Sequence, residues 1–462
     1  MIMYPEKTKG EKRMKRQWYR VAAVGIIVVV LALLLASLPA CKSTPAVSQG
    51  PSEILIGGVV PQTGVAASFG QGTFGLKAAV DDINKQGGIF VKEFNRKIPV
   101  RLKLLDDQSD TTQIGTLAQS LILSDKVNFL VCSPMWPQDI AAVAVVAEKF
   151  KTPFVAFAGP FEPNQGIRES SGGFKYTWES GFAIGAPPPP GDFRADLVGY
   201  TNVGLWMSYL GQFGNQTNKK VAVFASDDPD GRGWYMGFTP ALKAAGFTAI
   251  GADKELGIAP GDATDFTPII KQWLDSGAEL LMGNAPAPWV GTLLRQCQTM
   301  GFKPKVVIAE KAAMLYDDIM SWGGSLPNGV MALIEWTPAI KNAAGIGDTT
   351  PQVLNDVWNK ATGKPFQPMV GCGYSQIQVL IDAIQRAGTL DKDAVNAAIA
   401  QTDLKSMRGR LKYDVTQFSR LPIAYGQWFS APDPVKWQMK IIFAGDDFTV
   451  EAQPQFPITY GK

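Results

Sequence analysis

Apolar residues are spaced along this chain in two alternating patterns. Short unbroken runs, of which Ile54–Val60 (ILIGGVV) is the first, show no polar alternation, as strands covered on both faces do. Between such runs apolar positions recur every three or four residues. Leu76, Val80 and Ile83 make one such helical stripe, and Gly87 and Gly88 follow where a left-handed C-terminal cap would sit. Residues 54–88 therefore read as a strand, a loop of Gly and small residues from Pro61 to Gly72, and a helix. That is the first half of a βαβ unit, and ligands of open α/β sheets bind just past the carboxyl ends of such strands.

The alternation continues. Strands are expected at 100–105, 129–132 and 154–158, with helices at 112–124 and 140–150. A break follows at 181–192, where Pro187 to Pro190 form loop or extended polyproline. A second series then brings strands at 220–225, 249–252, 280–283 and 305–309 and helices at 234–245, 266–276 and 290–300. A further helix is expected at 374–388, apolar at Ile377, Leu380, Ile381 and Ile384. Strands alternating with helices predict an α/β fold with mainly parallel sheets flanked by helices. The break, and a length beyond what one core usually organises, predict two lobes.

The N-terminus obeys a different pattern. Seven Lys and Arg between Lys7 and Arg20 precede an uncharged run, Val21–Leu38. Leu38-Pro39-Ala40-Cys41 then resembles a lipobox. Residues 1–40 read as a lipoprotein signal peptide, with Cys41 as the lipid attachment site and residues 41–52 as a polar linker. An uncleaved single span is the alternative. Either way the remainder is expected outside the cytoplasm, tethered to a membrane.

The leader also changes the charge. The whole chain is formally +3, but residues 1–40 carry +5, so the rest is about −2 and offers no basic footprint for nucleic acid. The chain contains no His, which removes His-based triads and His-containing zinc sites. Cys132, Cys297 and Cys372 are too widely spaced for a zinc pattern and read as buried thiols, with one disulfide also open. The Gly-rich loop fits neither GxxxxGK[ST] nor GxGxxG. No cofactor, metal or catalytic residue is expected, and a secreted enzyme is the least supported class.

Several phrases resemble the type I periplasmic solute-binding proteins, the branched-chain amino acid and amide group of ABC transporters. They are ILIGGVVPQTGVAASFGQGTFGLKAAVDDINKQGG, VAVFASDDPDGRGWYMGFTPALKAAG, GDATDF, LLRQCQTMGF, Glu335-Trp336-Thr337-Pro338, and YSQIQVLIDAIQRAG. MRGRLKYDVTQF and IAYGQW resemble the closing hairpin of that group. The resemblance spans roughly residues 53–445. It implies a two-lobed type I periplasmic-binding-protein fold with three hinge crossovers: lobe 1 from 53–178 and 334–422, lobe 2 from 179–333 and 423–462. It also implies capture of a small organic solute by hinge closure and delivery to a membrane permease. A sensor that uses the same clamshell to signal to a membrane receptor kinase is the alternative.

The site residues follow from the resemblance one by one. Thr63 and Phe69 occupy the hydroxyl and aromatic places of the loop after the first strand. Where amino-acid binders use Ser and Thr hydroxyls for the ligand carboxylate, Gln138 and Pro160 stand here, with Trp136 beside the first. Proline has neither hydroxyl nor N–H, leaving the backbone of Ala158 and Gly159 as donors. Glu310 matches the acid that pairs with a ligand ammonium. Asp230 stands in a cleft position, though it could equally cap the following helix, the role favoured for Asp228. Trp336 completes an expected aromatic wall with Phe69 and Trp136. Core packing is the competing reading for each aromatic, Phe157, Trp206 and Trp289 included.

Overall fold

The structure, a computed structural model, describes residues 50–132, 140–157 and 159–460, the backbone of 137–139, and Met14, Trp18 and Arg20. The expected leader, Cys41, Trp136 and Ala158 lie outside the described residues or, in the leader, almost wholly so.

Strand β1 (Ile54–Val60) is buried at every position, which is why its sequence lacks alternation. A small antiparallel hairpin, β2 (Ile89–Val91) with β3 (Arg96–Ile98), follows its helix. β4 (Val100–Asp106), β5 (Phe129–Cys132), β6 (Phe154–Phe157) and β7 (Thr177–Gly181) then line up in parallel with β1. A second sheet takes β8 (Lys220–Ser226), β9 (Thr248–Ile250), β10 (Ile258–Ala259), β11 (Leu280–Asn284), β12 (Val306–Ala309) and β13 (Val330–Ile334), again in parallel. Late in the chain β14 (Asp403–Ser406) and β15 (Gly409–Lys412) form a hairpin. β16 (Phe418–Arg420) returns to the first sheet beside β7. β17 (Ala424–Ser430) and β18 (Trp437–Ala444) close the second sheet as antiparallel strands beside β13.

The first sheet thus has the order β16-β7-β6-β5-β1-β4, and the second β10-β8-β11-β12-β13-β17-β18, with β9 also on β8. The chain passes between the sheets three times: after β7, after β13, and between β16 and β17. This is an α/β fold of two mainly parallel sheets flanked by helices.

The helix Thr73–Lys85 buries Leu76, Val80 and Ile83, and Gly87 and Gly88 follow it with φ of 91° and 96°. It crosses the helix Pro368–Ala387, whose buried residues run almost without a break from Pro368 to Ile384. A Cβ on Gly75 would stand 1.8 Å from the Val370 carbonyl oxygen, so only glycine permits the two backbones to meet this closely.

Some elements depart from the sequence pattern. The helix Pro229–Ala244 starts five residues before the expected 234, because Asp228 caps it and Pro229 sits in its first turn. The long late helix starts at Pro368 rather than 374, since Gly371 and Gly373, which weaken a helical reading, serve close packing. The helices Phe161–Ser170 and Asn202–Gly211 were not among the expected elements, although the second buries Leu205, Trp206, Tyr209 and Leu210 on one face. The expected closing hairpin is corrected: β15 pairs with β14, β16 joins the first sheet, and β17 joins the second. Pro422 lies between β16 and β17, where the chain changes sheets. Cys297 and Cys372 are buried thiols, and Cys132 is buried in β5.

Candidate functional site

A cavity of about 430 Å³ lies between the carboxyl ends of the two sheets. From the first sheet come Val65, Ser68 and Phe69 after β1, Gly159 and Pro160 after β6, and Phe182 and Ile184 after β7. From the second come Asp228, Asp230 and Trp234 after β8, Asn284 at the end of β11 and Pro286–Trp289 just past it, and Glu310, Lys311, Met314 and Asp318 after β12. This is where parallel α/β sheets place their ligands.

Local hydrogen bonds set these walls. Glu162, in the first turn of the helix Phe161–Ser170, accepts from the N–H groups of Ile184 at 2.8 Å, Gly185 at 2.8 Å and Ala186 at 2.7 Å. That carboxylate fixes the loop presenting Phe182 and Ile184. Trp289 is anchored by donation from its indole N–H to the Pro260 carbonyl at 3.0 Å. Asp228 accepts from the Gly231 N–H at 2.9 Å as the N-cap of its helix.

Among the described residues, four carboxyl groups and one ammonium line the cavity. Lys311 Nζ lies 2.7 Å from Asp230 Oδ2 and 3.9 Å from Asp228 Oδ2, and Asn284 Nδ2 donates to Asp230 at 3.0 Å. Burial works against the charge on Lys311, but Asp230 and Asp228 outweigh it and hold the ammonium pKa above its usual value. Glu310 is 4% exposed. Its Oε1 is 3.3 Å from the Tyr425 hydroxyl, while its Oε2 has no hydrogen-bond partner. Burial pushes the Glu310 carboxyl up to about 7 and that of Asp318 up to about 6.

Contacts also span the two sides next to the cavity. Gln71, beyond β1, donates to Asp317 on the helix Tyr316–Trp322, and Lys364 Nζ lies 2.6 Å from the same carboxylate. Gln367 donates to Gln71 Oε1 at 3.1 Å.

Of the residues expected from sequence, Phe69, Gly159, Asp230 and Glu310 line the cavity. Gln138 lies in the helix Pro137–Lys149, and its side chain is outside the described residues. Two are placed elsewhere. Thr63 is exposed, its hydroxyl donating to Asp106 Oδ2 at 2.7 Å, so it shapes the loop after β1 instead of lining the cavity. Trp336 is fully buried against Gly371, where a Cβ would stand 2.2 Å from its ring, and it belongs to the core. Phe157 and Trp206 are core residues too, whereas Trp289 lines the cavity. Asp228 is a cap that also lines the cavity.

Lys311, Asn284, Asp318, Phe182 and Ile184 were not singled out from sequence. Asn284 ends β11 and Lys311 follows β12 by two residues, so the rule of strand carboxyl ends could have flagged both. Asp318 sits inside a short helix and carries no such signal.

A sequence profile of the periplasmic binding protein family matches residues 53–421. The Leu/Ile/Val-binding protein homolog 3 of Brucella melitensis is 27% identical over 390 residues, covering 83% of this chain and 93% of its own. The leucine-binding protein LivK of Thermotoga maritima shares the fold with a TM-score of 0.65 at 18% identity, over 86% of this chain and all of its own. So does a solute-binding protein of an ABC transporter from Rhodopseudomonas palustris in complex with 3,4-dihydroxybenzoic acid, with a TM-score of 0.64 at 21% identity, over 86% and 98%. With a profile match over most of its length and a cavity between two parallel sheets, the chain belongs to the periplasmic binding protein family, extracytoplasmic solute-binding proteins and not enzymes.

Proposed function

We propose that this protein is the substrate-binding component of an ABC importer, capturing one small organic solute between its two lobes and delivering it to a membrane permease. The observation that carries this reading is the cavity of about 430 Å³, walled from both sheets, with the buried Glu310 carboxyl opening onto it. Its size suits a molecule of amino-acid or aromatic-acid dimensions. The similar proteins support the same range, since one is a leucine-binding protein and another holds a dihydroxybenzoic acid. Three passages of chain between the sheets give the hinge on which closure turns.

In this reading residues 1–40 are removed as a signal peptide, Cys41 carries the lipid, and residues 41–52 form the leash. Residues 53–178 and 334–422 make lobe 1, and 179–333 and 423–462 make lobe 2. Gln138, Trp136 and the backbone of Ala158 and Gly159 complete the lobe 1 side of the site.

Thermal unfolding against branched-chain amino acids, short amides, urea and aromatic acids tests the proposal. A true solute at 100 times its Kd adds about 2.7 kcal/mol of stability. A panel without any shift, together with no ligand released on denaturing the purified protein, would remove the capture reading. Mass spectrometry of the N-terminal peptide tests acylation at Cys41.

A further inference from the structure

We propose that the solute is an amine-bearing organic cation that needs no carboxylate, held by Glu310 and Asp318 within an aromatic wall. This rests on the solute-capture reading above and names the chemical class that the same cavity takes.

The first observation is an unmet acceptor. Glu310 is 4% exposed, lines the cavity, and leaves Oε2 without a hydrogen-bond partner. A buried carboxylate oxygen with nothing to accept from is unfavourable until a donor arrives, and a ligand N–H⁺ is the donor that also carries the compensating charge. The Trp234 indole and the Asn202 amide on the same wall face Glu310 only as neutral donors, so the protein itself supplies no compensating charge there.

The second observation is where the positive charge has gone. Lys311, the one ammonium among the described lining residues, is held by Asp230 at 2.7 Å, with Asp228 at 3.9 Å. A carboxylate ligand would have to break that pair and then share the cavity with Asp228, Asp230, Glu310 and Asp318. Pro160, beside Gly159 on the opposite wall, provides neither N–H nor hydroxyl. An acid group thus finds repulsion and few free donors, while an amine finds two carboxyls that no cation engages.

The third observation is the rest of the wall. Phe69, Phe182, Trp234 and Trp289 line the cavity, and aromatic faces attract an organic ammonium while burying its hydrocarbon part. Among the described residues no group of three or more carboxylate or thiol ligands is placed to hold a metal ion.

Calorimetry on the full chain with matched probes decides the matter. The probes are 3-methylbutylamine, leucine and 4-methylpentanoate, then phenethylamine, phenylalanine and 3-phenylpropionate. Within at least one set, the amine should bind as tightly as its amino acid, with the acid about tenfold weaker or worse. Glu310→Gln, close in size, should weaken the amine about tenfold or more, and Asp318→Asn should weaken it by a smaller factor, with unfolding midpoints confirming that both variants fold. Binding of an acid in preference to its amine, or of an amino acid far above its amine, overturns the proposal and leaves solute capture standing. Binding of none of the six, at millimolar concentration, overturns the proposal and removes the capture reading's support from this cavity.

Discussion

Arg408 Nη1 lies 3.3 Å from Glu335 Oε2, and neither side chain has any solvent exposure. The same guanidinium is 3.1 Å from Cys372 Sγ, donates to the Pro422 carbonyl at 3.4 Å and lies over the Phe157 ring at 4.6 Å. Glu335 follows β13 and Pro422 precedes β17, so this one side chain ties together two of the three passages between the sheets. Replacing Arg408 with Met would leave the Glu335 carboxyl buried without its cation. The Arg408→Met variant is expected to lose about 3–5 kcal/mol in urea unfolding. The pair Arg408→Met with Glu335→Leu should recover much of that loss. A double variant no better than the single would show that packing, not the unpaired charge, dominates.

Glu179, Glu310 and Glu335 are each pushed up to about 7 from 4.5, chiefly by burial. Their folded-state pKa is raised, so the folded protein holds these protons more tightly than the unfolded chain. The stability they contribute is complete below about pH 4.5 and is lost as pH rises toward 7. Asp192 and Asp403 work the other way, held low by hydrogen bonds from Arg194 and Arg410, and their contribution is lost on acidification below 3.8. The unfolding midpoint should therefore fall between pH 5 and pH 7.5. Glu335→Gln should flatten that slope, which scanning calorimetry at matched ionic strength would read.

Asp317 is the acceptor through which Gln71 and Lys364 reach across from the first sheet's side. These side chains are partly exposed, so the contacts are worth about 1 kcal/mol at most. Asp317→Ala should bias the hinge toward opening and weaken solute binding by up to about fivefold, with global stability nearly unchanged. Small-angle scattering of the variant without solute should show a larger radius of gyration. An unchanged radius and affinity would leave Asp317 as surface decoration.

Gly75→Ala would put a methyl group 1.8 Å from the Val370 carbonyl oxygen, at the crossing of two central helices. Backbone cannot yield there as a flexible side chain could. The variant should lose about 3 kcal/mol or fail to fold, whereas Gly166→Ala, with nothing within 4 Å, should be tolerated. Expression level and urea midpoint compare the two.

Much of the architecture was legible because strands and helices write local periods into the chain. The run Ile54–Val60 announced a strand covered on both faces, and the Leu76, Val80, Ile83 stripe announced the helix that packs beside it. Asp230 and Glu310 could be placed at the cleft by the resemblance of their segments to the family, and both line the cavity. The hairpin misreading at 407–428 has the same origin: local pattern marks a strand but not the sheet it enters. Long-range pairing is what the sequence could not show. Asp230 meets Lys311 across 81 positions, and Glu335 meets Arg408 across 73. Trp336 turns away from the cavity because a glycine on the helix Pro368–Ala387 leaves room for its ring. The sequence by itself determined the alternation, the two series of strands and the carboxyl-end residues, since each depends on neighbours a few positions away. Only the tertiary structure decided which charges are already neutralised and which stay open, because that depends on residues brought together from opposite ends of the chain.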